Sequence, residues 1–508
     1  MRSAGPDLLL ENQTCAREPT RWKIFNMTFE ELLDLVSTQK RPGLCIDSRD
    51  VKEGDIFIAI KGTIHDGHDF IDQAIQNGAR YLVSRKAVKK ENVEVVLVDN
   101  TAKAAAILAQ KAADSPASKL TNLAVTGTNG KTTVAFLVRS VLENAGQKTG
   151  LITTILYDTG RTSTQATLTT PDCITIAKMQ QQMVQTGSKY MVIEASSHAL
   201  SQGRLAAIDF DAAAFTNLSS EHMDYHKTKE DYLQAKIRLF ENLPSNATAV
   251  LNKDSKEAKQ IADKTNAKII WFGIDSQADL TAHIESTDIN GTAIELKFAG
   301  QKQKLTTPLL GKYNVSNLLA AAGLCIAEGL DLQTIAKGLS ALKVIPGRLE
   351  KVDSDKDFTV LVDYAHTDDA LKNVLSTLRP LCRGKLTVVF GCGGDRDKTK
   401  RPRMARVAEQ LADQIFVTTD NPRTEHPLEI IGQIVTGFDN PVADTIIKEP
   451  DRKTAIEQAI NSASAGDIVL IAGKGHENYQ IIENEKIHFS DKEIAIDCLK
   501  NLNEKINS

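Results

Sequence analysis

The stretch Leu123-Ala-Val-Thr-Gly-Thr-Asn-Gly-Lys-Thr-Thr-Val134 constrains the chain most, because an apolar strand runs through a Gly-flanked loop into an amphipathic helix. Val134, Leu137, Val138, Val141 and Leu142 recur at i, i+3, i+4, i+7 and i+8 and so predict one apolar helix face, closed by Gly146. Gly127 and Gly130 let the backbone approach an anion, and the first amides of the helix point at it. Lys131 adds a point charge, and the Thr132 hydroxyl suits a magnesium ion. A turn that merely joined strand to helix would account for the glycines and leave Lys131-Thr132-Thr133 without a purpose. The ligand expected here is a nucleoside triphosphate.

At 508 residues the chain is too long for one ordinary core, and about three domains are expected at roughly 150 residues each. Lys+Arg number 61 against 65 Asp+Glu, a net charge of -4, so there is no overall positive field to hold nucleic acid or an anionic membrane. The seven cysteines are scattered without paired spacing, which argues against a disulfide framework or a zinc site and for a reducing compartment. No apolar run approaches the roughly 18 residues of a membrane span. A cytoplasmic, monomeric protein is the expectation. Met27, where helical spacing begins with Phe29, Leu32, Leu33 and Val36, is a candidate for the true start.

Strand-like runs alternate with helical patterns along the whole chain, which predicts an α/β fold in three domains. Residues 1–115 form a small α/β block, with strands at Ile56–Ile60, Tyr81–Val83 and Val95–Val98, and a polar, Pro-containing connector at Asp114–Ser118 ends it. Residues 116–344 carry the phosphate loop and further short strands at Met191–Ile193, Ala212–Phe215, Ala249–Leu251 and Ile269–Trp271, the rhythm of a mostly parallel sheet of the P-loop type. A Pro-Gly turn near Arg348 leads into residues 345–508, a Rossmann-like block with strands at Phe358–Val362, Leu386–Phe390, Ile415–Val417 and Ile468–Ile471.

Glu194 ends a buried-strand pattern, where open α/β sheets place ligands. It suits magnesium as an oxygen ligand beside Thr132, or equally a helix N-cap; the residue alone does not decide. After the strand ending near Thr216 come His222, Asp224, His226 and Lys236 within one βα segment, and Lys236 has apolar helix neighbours. A buried amine tends to lose its proton and can then react with carbon dioxide, whereas a snorkelling surface lysine cannot be told apart by spacing.

Thr126-Gly-Thr-Asn-Gly-Lys-Thr-Thr133, Glu194-Ala-Ser-Ser-His198, His222-Met-Asp-Tyr-His226, Gly311-Lys-Tyr-Asn314 with Asn317, and Pro346-Gly-Arg348 resemble, in order, the signatures of the Mur ligase family. Asp363-Tyr-Ala-His366, Gly393-Gly-Asp-Arg396, Asp420-Asn-Pro-Arg423 and Gly473-Lys-Gly-His-Glu477 narrow the likeness to members that add the third peptide residue of the cell-wall precursor. Glu221 stands where the family has Asp, and Asp368 where it has Pro.

The resemblance implies an ATP-dependent amide-bond ligase of peptidoglycan synthesis, with an acyl-phosphate intermediate. Its substrates would be UDP-N-acetylmuramoyl-L-alanyl-D-glutamate, meso-2,6-diaminopimelate and ATP. Two magnesium ions are implied, as is a CO2-derived carbamate on Lys236, which would join Thr132, Glu194 and His222 around metal. Lys131, Glu194, His222 and Lys236 would be the catalytic set. ATP would lie on Gly127, Thr128, Asn129, Gly130, Lys131, Thr132 and Thr133, with Asn314, Arg348, Asp363 and His366 closing over it. Ser48, Thr63, Ile64 and His65 would hold the UDP end of the precursor. Leu168, Thr169, Thr170, Ser196, Gln202 and Arg204 would hold its sugar-peptide end, although Thr169-Thr170-Pro171 taken alone reads as an ordinary turn.

Arg396, Asp420, Asn421, Pro422, Arg423, Gly473 and Glu477 match the diaminopimelate pocket. Arg423 carries the discrimination, because a guanidinium fork suits the far carboxylate that lysine lacks. A surface pair of Arg423 with Glu425 is the competing reading. The rival functions are a lysine-adding ligase, another Mur or folylpolyglutamate-type ligase, and a P-loop switch that makes no bond.

Overall fold

The strand that feeds the phosphate loop, Thr121–Thr126, lies in the middle of an 11-stranded sheet in a computed structural model that describes residues 27–63, 65–219 and 223–507. In spatial order the parallel heart of this sheet is Lys268–Gly273, Thr248–Asn252, Ala212–Phe215, Thr121–Thr126, Tyr190–Glu194 and Thr149–Ile152. Ala212–Phe215, Tyr190–Glu194 and Thr248–Asn252 are buried at every position, as strands covered on both faces must be. The helix Lys131–Asn144 buries the five apolar positions that its spacing predicts.

Both flanks of the sheet are antiparallel. Leu280–Asp288, Gly291–Phe298 and Gln301–Thr307 extend one side, and Leu156–Asp158 and Ser163–Gln165 the other. The first set alternates buried and half-buried residues, as in Gly291–Phe298, because one face packs on the core and the other is wet.

A second sheet has six strands in the order Glu350–Val352, Thr359–Asp363, Ile468–Ala472, Leu386–Phe390, Gln414–Val417 and Ile446–Lys448, parallel except for the first pair. Ile468–Ala472 enters between two strands that precede it in the chain. The carboxyl ends of adjacent strands therefore deliver Asp363, Gly391–Gly394, Asp420 and Gly473 to one edge, where open sheets bind ligands.

The chain divides into two units, Met1–Ala104 and Ala105–Ser508, and both of these sheets belong to the second. The first unit has a four-stranded parallel sheet, Leu44–Cys45, Ile56–Ile58, Tyr81–Ser84 and Glu94–Leu97, over a core that includes Phe57, Ile71, Leu82 and Val95. Among the described residues no helix is long and apolar enough to cross a membrane.

Candidate functional site

Two clefts open at the carboxyl ends of the second unit's sheets. The larger, about 1080 Å3, is lined by Asn129, Gly130 and Thr133 of the phosphate loop and by Asn314, Arg348, Asp363 and His366. Gly127 and Gly130 have φ of +147° and +89°, and a Cβ at either would meet Thr216 Oγ1 at 1.9 Å or Asn317 Oδ1 at 2.2 Å, so other residues would deform the loop. Thr216 Oγ1 donates to Asn129 O at 2.6 Å, while Thr128 N and Asn129 N donate to Asn217 O and Oδ1. Lys131 Nζ donates back to Gly127 O (2.9 Å) and Thr128 O (2.7 Å). Arg348 Nη2 reaches the buried Thr132 Oγ1 at 3.1 Å, with its guanidinium over the Tyr364 ring at 4.8 Å. Burial pushes the Asp363 carboxyl up against the pull of Arg348, and the carboxylate accepts from Leu349 N and Ala365 N.

The structure separates the readings left open for Glu194 and Lys236. Glu194 is 1% exposed and accepts from Thr154 N and Oγ1 at 2.9 and 3.1 Å. The following helix, Ser197–Ser201, is capped by Ser196, so Glu194 is not an N-cap. Lys236 is 1% exposed, lies 4.3 Å from the Tyr232 ring centroid and donates to Gly127 O at 2.9 Å; it does not snorkel. His226 is buried with Nε2 on Ser197 Oγ at 2.9 Å, which is a packing role. His222 lies outside the described residues.

Among the described residues no three His, Cys, Asp or Glu side chains gather as a metal centre. Magnesium does not need such a cage, since it retains waters and takes one or two carboxylates plus phosphate oxygens. The Thr132 hydroxyl, in the first turn of the helix Lys131–Asn144, and the Glu194 carboxylate, at the end of the strand Tyr190–Glu194, are oxygen ligands of that kind.

The second cleft, about 510 Å3, has Thr154, Leu168, Thr169 and His198 on one wall and Arg396, Asp420, Asn421, Arg423, Gly473 and Glu477 on the other. Thr169-Thr170-Pro171 is more than a turn. Thr170 Oγ1 donates to Glu194 O at 2.6 Å and lies 3.0 Å from Ser196 Oγ, and Arg204 Nη1 donates to Thr170 O at 2.6 Å while its other nitrogens hold Gln202 Oε1. Arg423, at φ +51°, donates to Gly394 O at 2.8 Å. Glu425 does not pair with it. Arg401, wholly buried, takes Glu425 with two bonds of 2.9 and 3.0 Å, Lys398 adds a third contact at 3.0 Å, and chiefly Arg401 holds the carboxyl down at about 2. Pro422 lies between Asn421 and Arg423 in the loop that accepts these contacts, and Arg396 Nη1 donates to Asp395 O. Burial raises the Asp420 carboxyl, but Lys474, Arg452 and Lys400 outweigh it and hold it below its ordinary range.

Sequence reasoning passed over Thr154, Tyr364, Lys400, His476 and Tyr479, which line this cleft. Tyr364 and His476 lie within motifs already singled out, and their aromatic rings among acidic and basic neighbours were the available signal. Thr154 and Lys400 carried none, since only the tertiary fold turns them inward. Ser48, Thr63 and His65 belong to the first unit, and Ile64 lies outside the described residues. Ser48 is buried, with Oγ on Gln73 Oε1 at 2.7 Å; Thr63 and His65 are exposed.

Three family models match the chain: the Mur ligase family catalytic domain over residues 42–119, the Mur ligase middle domain over 125–325 and the Mur ligase glutamate ligase domain over 347–475. A protein of Bacillus licheniformis named UDP-N-acetylmuramoyl-L-alanyl-D-glutamate--2,6-diaminopimelate ligase is 42% identical over 456 residues, 89% of this chain and 93% of that one. A protein of the same name from Aquifex aeolicus is 42% identical over 468 residues, 92% and 95% of the two chains. A solved structure titled with that enzyme name superimposes with a TM-score of 0.65 at 32% identity, covering 94% of this chain and 99% of the other. The MurF ligase of Thermotoga maritima in complex with ADP shares the fold, with a TM-score of 0.61 at 20% identity over 93% and 99% of the chains.

Proposed function

The chain belongs to the Mur ligase family, and from that premise we propose that it is the ATP-dependent ligase that adds meso-2,6-diaminopimelate to UDP-N-acetylmuramoyl-L-alanyl-D-glutamate in peptidoglycan synthesis. The observation that carries the reading is the second cleft, in which the Leu168-Thr169 loop faces Arg423 and Glu477. Such a cleft suits a peptide terminus on one side and a zwitterionic amino-acid end on the other.

In this reading residues 1–115 bind the UDP end through Ser48, Thr63, Ile64 and His65, residues 116–344 bind ATP and the dipeptide, and residues 345–508 bind the amino acid. A carboxylate resists amine attack because oxide is a poor leaving group, and phosphorylation by ATP removes that obstacle. The D-glutamate carboxylate attacks the γ-phosphorus and ADP leaves; the amine then attacks the acyl carbon, loses a proton, and phosphate departs. Lys131 neutralises charge on the transferring group, and Asn314, Arg348, Asp363 and His366 orient the nucleotide. Thr132, Glu194, His222 and carbamylated Lys236 would hold two magnesium ions, whose charge stabilises the phosphoryl oxygens when bound. Thr169, Thr170, Ser196, Gln202 and Arg204 orient the dipeptide. The protein acts as a monomer in the cytoplasm.

Turnover with precursor carboxylate labelled with oxygen-18 tests the route. One labelled oxygen should appear in released phosphate, and its absence would exclude an acyl phosphate. A panel of meso-diaminopimelate, L-lysine and D-alanyl-D-alanine tests the substrate, with only the first expected to support turnover.

A further inference from the structure

Behind the wall that carries Asp420, Asn421 and Glu477 lies Lys474, whose side chain is 0% exposed. Its ammonium donates to Asn421 Oδ1 at 3.1 Å and lies 3.3 Å from Glu477 Oε2. Asn421 Nδ2 donates to that same Glu477 oxygen at 2.9 Å. A triangle of contacts therefore fixes the rotation of the Glu477 carboxylate from behind. Two donors on one oxygen leave a carboxylate, with about four acceptor sites, capacity for a ligand.

The surroundings make this triangle stiff. Asn421 Oδ1 also accepts from Ile481 N at 3.0 Å, and Gln480 Nε2 donates to Asp420 O at 2.7 Å, so the hairpin Tyr479–Ile482 and Glu485–His488 is tied to the Asp420–Arg423 loop. Deeper still, Arg452 and Asp491 form a wholly buried pair with bonds of 2.7 and 2.8 Å. Lys474 is the buried ammonium in contact with Glu477, and with Arg452 and Lys400 it also acts on the Asp420 carboxylate. The Glu477 carboxylate keeps acceptor capacity toward the cleft, and the same wall offers Arg423 for a carboxylate. A ligand end bearing both an ammonium and a carboxylate matches the two.

We propose that Lys474 is a positioning residue for the incoming amino acid, holding Glu477 and Asn421 so that Glu477 receives the ammonium at the end of the diamino acid whose carboxylate Arg423 takes. This inference rests on the diaminopimelate reading. Lys474 touches no substrate, and its effect passes through Glu477.

The test is steady-state kinetics with each of the three substrates varied in turn, on full-length wild type, Lys474→Met, Glu477→Gln and the double variant. For Lys474→Met the KM for meso-diaminopimelate should rise at least about tenfold, the factor that corresponds to 1.4 kcal/mol. The KM values for ATP and for the UDP-dipeptide should stay at wild-type level. In the Glu477→Gln background the same substitution should add no further rise, because the carboxylate it orients is already neutral. An unchanged KM for diaminopimelate, an equal rise for all three substrates, or a full further rise in the Glu477→Gln background would overturn the proposal. Should Lys474→Met not fold, the comparison of Glu477→Gln with the charge-balanced double variant decides alone. Failure of the underlying reading is separate, since it shows in the wild type, which would then prefer another amino acid.

Discussion

Lys131 and Lys236 donate to one and the same carbonyl oxygen, that of Gly127, each at 2.9 Å. One lysine comes from the start of the helix after the phosphate loop, Lys131–Asn144, and the other from the helix Lys229–Glu241, 105 residues later. Lys236 is buried beside the Tyr232 ring, where water screens little. A lysine amine in its neutral form is a nucleophile for carbon dioxide, and a carbamate on Lys236 would place an anion near the Lys131 ammonium.

Under the carbamylation proposed above, Lys236→Ala should lower kcat by on the order of a hundredfold or more, the scale for removing one group that stabilises charge in a transition state. Protein equilibrated with carbon-13 bicarbonate should show a carbamate carbon resonance that Lys236→Ala lacks. Full activity of Lys236→Ala in bicarbonate-free buffer would remove the role.

Arg423→Lys keeps the charge and loses the planar fork. Its KM for meso-diaminopimelate should rise at least about tenfold with little change for ATP, because a point charge cannot take a carboxylate with two parallel bonds. A substrate panel run on both proteins checks this, and an unchanged KM would show that Arg423 does not meet that carboxylate.

The phosphate loop and most parallel strands were legible because fully buried parallel strands leave continuous apolar runs, as in Met191–Ile193 and Leu386–Phe390. The antiparallel strands Leu280–Asp288 and Gln301–Thr307 were not, since their half-wet faces are polar and read as loop. The site divides along the same line. Lys236, Glu194 and Arg423 stood out by residue type and context, but only the fold shows that Ser196 rather than Glu194 caps the helix and that Arg401 rather than Arg423 holds Glu425. Long-range partners such as Thr154 for Glu194, 40 residues apart, leave no local pattern.

Arg401 and Glu425 help tie the loop bearing Arg396 to the loop bearing Arg423, since Arg401 donates to Gly393 O and Glu425 accepts from Asp395 N. Glu425→Gln takes the carboxylate from a wholly buried guanidinium that keeps Gln433 and Gly393 as partners, and should destabilise the protein by about 1 to 3 kcal/mol, the scale for a hydrogen bond to a charged group. The Glu425 carboxyl is depressed from 4.5 to about 2, so its contribution is complete above pH about 4.5 and is lost as pH falls toward 2. Urea denaturation of wild type and Glu425→Gln between pH 7 and 3 should show the two stabilities converging in acid.

His476 gives an independent pH signature. It packs against Tyr364, with ring centroids 5.0 Å apart, in the wall of the smaller cleft. Burial first, then the charge of Arg348, lowers its imidazole from 6.5 to about 3 despite the opposing Thr154 backbone hydrogen bond. The folded ring stays neutral between those values while the unfolded ring takes up a proton, so the unfolded state binds more protons there and stability rises with pH. The contribution is complete above pH about 6.5 and falls away toward pH 3, with a slope of at most about 1.4 kcal/mol per pH unit. His476→Gln keeps a polar planar group that does not titrate in this range. The wild type should therefore lose stability relative to His476→Gln as the pH falls from 7.5 to 4.5, and parallel denaturation midpoints would show that the ring titrates alike in the folded and unfolded protein.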